Sequence, residues 1–266
     1  MVVVVKAGGR VLKENLDGIV RDVASLADKG KVILVHGGGD LVTEYSKRMG
    51  VEPRIVVHPS GMRSRYTSLE ELEVFTMVMA GLLNKRIVSM LESMGARALG
   101  VTGADLGLAR AERKKRIIIV NERGRKQVIP GGYTGKIKTV SEKDLRSLLS
   151  LADVLVVSPL ALGENGELLN VDGDQMASKI ATALQADSLI LLSDVPGVIL
   201  EGRTLDRLAV EEARKLYEKI GPGMNRKVLM ACEAVESGVG FAVISDGLRE
   251  SPVTGALEGL GTRIGR

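Results

Sequence analysis

The sequence predicts an α/β fold, a three-layer αβα sandwich around a mostly parallel central sheet, and three observations carry that prediction. Short β-branched runs alternate with segments of helical period. The runs at 2–5, 32–35, 154–157 and 188–192 show no polar alternation, and glycine turns follow the first two. Strands apolar on both faces belong to a parallel sheet covered by helices on each side. A repeated strand–helix–strand order is how such a sheet is built.

The elements follow in order. After the first run, Leu16, Ile19, Val20, Val23 and Ala27 recur at helical spacing. Asn15 is placed to cap that helix by accepting a free N–H of its first turn. The second run closes on His36-Gly37-Gly38-Gly39, and a helix is expected from Asp40 to Arg48. Residues 116–138 break the rhythm. There 117–120, a turn around 122–124 and 127–129 read as a β-hairpin, an insertion suited to rim a ligand site. Met176, Ala177, Ile180, Ala181 and Leu184 form the buried face of a later helix, and the run at 188–192 comes next. No Pro/Ser-rich linker or low-complexity tract divides the chain, so one domain over 1–266 is expected, with two lobes on a continuous sheet that meet near Pro159.

Composition narrows the function classes. At 45% hydrophobic and 26% charged, the 266 residues read as an ordinary globular protein, and with no Trp and two Phe its core must be aliphatic. No apolar run approaches the ~20 residues needed to span a bilayer, and the opening stretch is too short for a signal-peptide core. The expectation is a cytoplasmic protein without a membrane partner. Cys232 is the only cysteine, which excludes an internal disulfide, and it reads as a small buried residue. With two histidines, His36 and His58, no His/Cys metal cluster is expected. The net charge of +4 is too mild to imply nucleic acid. Basic residues do crowd between Arg110 and Lys126, Arg113, Lys114, Lys115 and Arg116 among them, but no aromatic is interleaved there for base stacking. A solvated hairpin rim and a site for an acidic partner both fit that cluster.

Five segments could carry chemistry. Lys6-Ala7-Gly8-Gly9 follows the first run directly. Glycines at a strand's carboxyl end let backbone N–H groups approach a phosphate, and the lysine adds a point charge. His36–Gly39 ends the second run in the same way, and two such turns at neighbouring strand ends would face one crevice. His36 itself reads as structural. Neither turn is a P-loop, and the stretch from Gly131 to Lys136 has the wrong spacing for one. Asn170-Val171-Asp172-Gly173-Asp174-Gln175 starts like a calcium loop but has Gln175 at position six and Ala181 at position twelve, where such a loop needs Gly and Glu. A capped helix start, with Asp174 free to pair with catalytic lysines, is the alternative. Ser193-Asp194-Val195-Pro196-Gly197 ends the fourth run, and Gly221–Lys227 leads into a helix. Lys227 near that helix start is repelled by the dipole, a broken local rule that points to function.

In this order the five segments resemble the amino acid kinase family, which includes N-acetylglutamate kinase, aspartokinase and uridylate kinase. The resemblance covers essentially the whole chain. The N-acetylglutamate kinase branch is the most similar, through Arg65 and Thr67 before a helix, the Asn170–Gln175 stretch and the Gly223–Lys227 loop. Two departures stand out: Arg63 is an extra arginine, and Asp172 stands where that branch has a second Asn. Gly61–Thr67, Ala111–Arg116, Gly131–Lys136 and Asn170–Gln175 resemble a sub-branch, the [LysW]-aminoadipate and [LysW]-glutamate kinases. Those enzymes act on an amino acid attached to a small acidic carrier protein, LysW.

The resemblance implies ATP-dependent phosphorylation of a side-chain carboxylate in lysine or arginine biosynthesis, with Mg²⁺ carried on the ATP phosphates and no protein metal cage. It implies that Lys6 and Lys227 stabilise the transferring phosphoryl group and that Asp174 orients them. Gly38, Gly39, Arg65 and Asn170 would hold the substrate, Arg65 by a bidentate grip on its α-carboxylate. Gly8, Gly9, Ser193, Asp194, Gly197 and Met224 would face the nucleotide. Residues 1–159 would then form the substrate lobe and 160–266 the nucleotide lobe. Arg113, Lys114, Lys115 and Arg116 would meet the acidic carrier, and a homodimer is expected. The rival readings are N-acetylglutamate kinase acting on the free metabolite, and a non-catalytic amino-acid sensor or nucleic-acid binder on the same scaffold.

Overall fold

The computed structural model describes residues 1–266, and its centre is a single sheet. The four apolar runs are its four adjacent central strands, in the order Ser188–Ser193, Val2–Ala7, Lys31–His36, Val154–Gly163. All three pairings among them are parallel. Phe241–Asp246, Thr262–Gly265 and Arg207–Ala209 extend the sheet on one side, Ala109–Arg113 and Gly135–Val140 on the other. The strand Val154–Gly163 runs unbroken through Pro159.

The side-chain period of a strand explains the layers. Val4, Ile33, Leu155 and Leu189 face one apolar cluster, while Val3, Val5, Leu34, Val154 and Ile190 face another. Each strand therefore buries both faces, which is why these runs show no polar alternation. The first cluster is completed by helices Gly173–Leu184 and Met224–Glu236, the second by Gly9–Ala27 and the helical run Leu69–Ser93. Cys232 is fully buried in the first cluster, and burial pushes its thiol up to about 11.

Two local readings need correction. The first helix begins at Gly9, immediately after the glycine turn, and Asn15 breaks it with φ −140° and ψ 42°. Asn15 does mark a boundary, but it does not accept a first-turn N–H. Its amide nitrogen donates to the carbonyls of Gly247 and Arg249, at 2.8 and 2.6 Å. A distant loop outcompeted the local cap. The second concerns Leu69–Ser93, a continuous helical run of 25 residues that is long and apolar enough, by length and composition, to cross a membrane. Here Val74, Phe75, Val78, Met79, Leu83, Ile87 and Leu91 of that run are buried against the sheet. Its middle, Met77–Leu83, is wound as a π-helix.

The predicted hairpin is present as Arg116–Val120 and Lys126–Pro130, paired antiparallel. It joins Arg54–Val57 and Arg63–Tyr66 in a separate four-stranded sheet beside the main one.

Asp22, buried on the first helix, joins it to the helix Pro252–Leu257. Its carboxylate accepts the N–H groups of Val253 and Thr254 at 2.7 and 2.9 Å and the Thr254 hydroxyl. Removing it leaves buried donors without an acceptor. Asp22→Ala is therefore expected to cost about 1–3 kcal/mol of stability, measured as a lower denaturant midpoint at unchanged slope; an unchanged midpoint would show that these bonds contribute nothing net.

Candidate active site

Register places the functional strand ends together. Lys6 lies opposite Leu191 on one side and Val35 on the other, and Ala7 lies opposite Leu192 and His36. The two glycine turns and the Ser193–Gly197 turn therefore leave the sheet at one edge, the carboxyl ends of parallel strands, where such sheets bind ligands.

Lys6 is the penultimate residue of its strand, and its ammonium stands 3.0 Å from Oδ1 of Asp174. Lys227 reaches the same carboxylate from the opposite helix, 3.1 Å from each oxygen. Asp174 sits in the first turn of Gly173–Leu184, where the helix dipole favours an anion. Asp172 caps that helix, accepting the Gln175 N–H at 2.9 Å. The Asn170–Gln175 stretch is thus a capped helix start. Lys227 is in the first turns of Met224–Glu236, as predicted, and Asp174 compensates the dipole that opposes it.

The three groups are nearly enclosed, with side chains only 12%, 10% and 13% exposed for Lys6, Asp174 and Lys227. Burial alone would pull the Lys6 ammonium down, but Asp174 and Asp172 outweigh it and hold Lys6 above its ordinary value. Burial, then the neighbouring Lys6 charge, pulls Lys227 below its ordinary value, against the opposing pull of Asp174. Burial disfavours the Asp174 carboxylate, and the two lysines overcome that and keep it ionised far below the usual range. Two cations share one anion, which leaves excess positive charge at the cleft.

The glycines are required by close approach. A Cβ on Gly37 would lie 2.7 Å from the Gly9 nitrogen, and one on Gly9 would lie 3.1 Å from the nitrogens of Gly38 and Gly39. The two turns pack backbone against backbone, so side chains are excluded. Gly38 is buried, and its N–H donates to no protein acceptor. A buried free donor where the two glycine turns meet fits an anionic oxygen. A cleft of about 370 Å³ is bounded by Gly8, Gly9, Gly39, Ser193, Asp194 and Lys227. Asp194 is paired there with Arg10. A larger cavity of about 820 Å³, bounded by Arg207, Arg263 and Arg266, lies at the opposite strand ends, away from the lysines.

Two nucleotide-side candidates do not bound this cleft. Gly197 is buried in a turn packed on Thr262, whose Oγ1 a Cβ would meet at 2.6 Å, and Met224 packs onto the apolar core. Of the residues expected to hold the substrate, Arg65 pairs with buried Glu71 and donates through Nη2 to Gly39 O at 2.7 Å and Thr43 Oγ1 at 2.5 Å. Its guanidinium is thereby fastened to the glycine turn. Asn170 donates to Thr67 Oγ1 at 2.9 Å. Arg113, Lys114, Lys115 and Arg116 are exposed around the turn that enters the hairpin. Arg113 is fixed by stacking 3.9 Å over the Tyr133 ring and donating to Gly132 O at 2.6 Å. Although Lys114 is exposed as a whole, partial burial of its ammonium, then Arg226, pulls it below its ordinary value. The groove beside it also contains Glu164 and Glu167. No group of three or more His, Cys, Asp or Glu is placed to hold a metal ion.

Sequence reasoning missed Glu71, Thr43 and Arg10. Glu71 was legible as a cap partner, because Ser68 followed three residues later by a Glu is a capping-box pattern. Ser68 Oγ does accept the Glu71 N–H, at 3.2 Å, but the Glu71 carboxylate turns to Arg65 and Ser46.

The profile of the Amino acid kinase family matches residues 1–245. A protein of Saccharolobus islandicus named "[LysW]-aminoadipate/[LysW]-glutamate kinase" is 56% identical over 263 residues, covering 98% of each chain. One of the same name from Metallosphaera sedula is 55% identical, over 98% of this chain and 99% of its own. Among solved structures, N-acetylglutamate synthase from Neisseria gonorrhoeae superposes with a TM-score of 0.82 at 23% identity, over all of this chain (100%) and 59% of the other; it shares the fold.

The shared carboxylate yields a pH prediction. Removing the Asp174 charge disfavours the protonated form of Lys227, whose affinity for its proton already lies below the ordinary lysine value of 10.5. In Asp174→Asn the alkaline fall in kcat should begin about one or more pH units lower than in the unaltered protein. A pH–rate profile in which the two limbs coincide would remove Asp174 from that role.

Proposed function

The chain belongs to the amino acid kinase family, and on that footing we propose that it transfers the γ-phosphoryl group of ATP to the side-chain carboxylate of aminoadipate or glutamate borne by the acidic carrier protein LysW. The products are an acyl phosphate and ADP, in lysine or arginine biosynthesis. The observation that carries the reading is the identity of 56% along almost the whole chain to a kinase of that name. The Lys6–Asp174–Lys227 cluster supports it, because that geometry suits phosphoryl transfer.

The acceptor carboxylate is already deprotonated, so the reaction needs no general base. A carboxylate oxygen forms a bond to the γ-phosphorus as the bond from that phosphorus to the β-bridging oxygen breaks, and ADP leaves with the electron pair. Charge spreads over the equatorial oxygens in the transition state. Lys6 and Lys227 neutralise it from two sides, and the free N–H groups at Gly8, Gly9 and Gly38 are fixed donors to the same oxygens. Asp174 holds the lysines and takes no proton. Asp174 and Asp194 are both engaged by cations, so a Mg²⁺ ion fits best as a companion of the ATP phosphates.

Arg65 and Asn170 serve the substrate, Arg65 the α-carboxylate and Asn170 the amide that joins amino acid to carrier. Ser193 and Asp194, with Gly197 and Met224 behind the cleft, serve the nucleotide. The division into a substrate lobe of 1–159 and a nucleotide lobe of 160–266 follows from that assignment. The exposed Arg113–Arg116 turn steers the acidic carrier, and exposed Met77 and Leu82 on the helical run Leu69–Ser93 offer apolar surface for a homodimer.

Acyl phosphate trapped with hydroxylamine tests the substrate. Product from carrier-linked aminoadipate or glutamate, and not from free N-acetylglutamate, is expected; the reverse pattern would transfer the protein to the free-metabolite reaction. Charge reversal at Lys114 and Lys115 should raise KM for the carrier-linked substrate by about tenfold or more and leave KM for ATP alone. Equal KM values in the variant and the parent would reduce the basic turn to a solvated surface.

A further inference from the structure

The buried side of the second glycine turn is built around a histidine that the phosphoryl chemistry leaves unused. His36 is 0% exposed. Its Nδ1 lies 3.2 Å from the carbonyl oxygen of Gly37, and its Nε2 lies 2.8 Å from Ser158 Oγ. Asn84 completes the group, donating through Nδ2 to Val156 O at 2.9 Å and to Ser158 Oγ at 3.3 Å. Burial lowers the imidazole to about 4, so at neutral pH the ring carries one proton.

Hydrogen-bond accounting selects the nitrogen that carries it. With the proton on Nδ1, the ring donates to Gly37 O, the Ser158 hydroxyl donates to Nε2, and Asn84 donates to Ser158 Oγ. Every ring position then has a partner. With the proton on Nε2, the Nδ1 lone pair confronts the Gly37 carbonyl oxygen in a buried place, two acceptors with no proton between them. Ser158 Oγ is also 2.9 Å from Met79 O. A carbonyl accepts two bonds, so where the hydroxyl gives its one proton to Met79 O, Asn84 Nδ2, 3.4 Å from Nε2, is the donor left to that nitrogen.

The consequence reaches the cleft through one peptide plane. In a trans peptide the C=O and N–H point to opposite sides. Whatever holds the Gly37 carbonyl inward therefore turns the Gly38 N–H outward, and that N–H is the buried donor without a protein acceptor. The Gly38 nitrogen lies toward the first glycine turn, 3.1 Å from where a Gly9 Cβ would stand. We propose that His36 is a positioning residue which, as the Nδ1–H tautomer, locks the Gly37–Gly38 peptide so that the Gly38 N–H meets the transferring phosphoryl group. The role of that N–H rests on the phosphoryl-transfer reading above; the tautomer does not.

Two amide variants separate this from a merely structural role. An Asn side chain places its NH₂ near the Nδ1 position, and a Gln side chain places its NH₂ near Nε2. His36→Asn should retain kcat within about threefold, while His36→Gln should lose about 10- to 100-fold in kcat with KM for both substrates little changed. Equal kcat losses that track a shared fall in Tm, or activity kept by Gln and lost by Asn, would overturn the proposal. A second measurement needs neither variant to fold nor any substrate to be turned over. The ¹⁵N imidazole spectrum of a His58→Gln protein contains His36 alone, since the chain has two histidines. An Nδ1-protonated, Nε2-unprotonated ring is expected across neutral pH, and the opposite tautomer would overturn the proposal whatever the protein is found to phosphorylate.

Discussion

Two ammonium groups share the Asp174 carboxylate in a place largely closed to water, and most of the surrounding architecture follows from meeting that condition. An enclosed lysine without a partner would lose its proton or unfold its surroundings. Lys6 and Lys227 stand at nearly equal distances from the same carboxylate, yet are displaced in opposite directions, Lys6 up and Lys227 down. One anion cannot fully satisfy two cations, so the three groups titrate as a unit. In the proposed reaction, the unsatisfied remainder is the attraction offered to a phosphoryl group.

Bringing the three charges together requires three elements to end at one point. Lys6 comes from a central strand, Asp174 and Lys227 from the starts of two helices on the same face. Parallel strands deliver such ends side by side, because their carboxyl termini all face one edge. The glycine turns meet the remaining demand. Only backbones without Cβ atoms can lie as close as Gly9 and Gly37 do, and that contact leaves N–H groups unpaired next to the lysines. Beneath them His36, Ser158 and Asn84 form a polar floor inside an otherwise aliphatic core, joined to the π-helix through Met79 O. Arg65 is tied to the same turn, since it donates to Gly39 O.

Where the sequence misled, a distant partner had displaced a local one. Asn15 reads as a helix cap from its neighbours, but its amide is taken by carbonyls more than two hundred residues away, at Gly247 and Arg249. Glu71 went unread in the sequence, because the partner of its carboxylate, Arg65, is supplied by the fold. The helical run Leu69–Ser93 is apolar enough to resemble a membrane span, and only its packing on the sheet shows where that surface goes.

The sequence by itself determined the strands, the glycine turns, the hairpin and the ordered motifs that mark the family. These are local: a doubly buried strand must be apolar at every position, and a turn that admits another backbone must be glycine. Lys227 was legible too, because a cation at a helix start breaks a local rule. Only the tertiary structure decided that Lys6, Asp174 and Lys227 share one contact, that Arg65 is anchored by Glu71, and that His36 lies under the Gly37 carbonyl. Asp174 is separated from Lys6 by most of the chain, and no pattern of neighbours encodes a distance between groups that far apart. Those contacts are set by strand register and helix packing, which depend on the whole core at once.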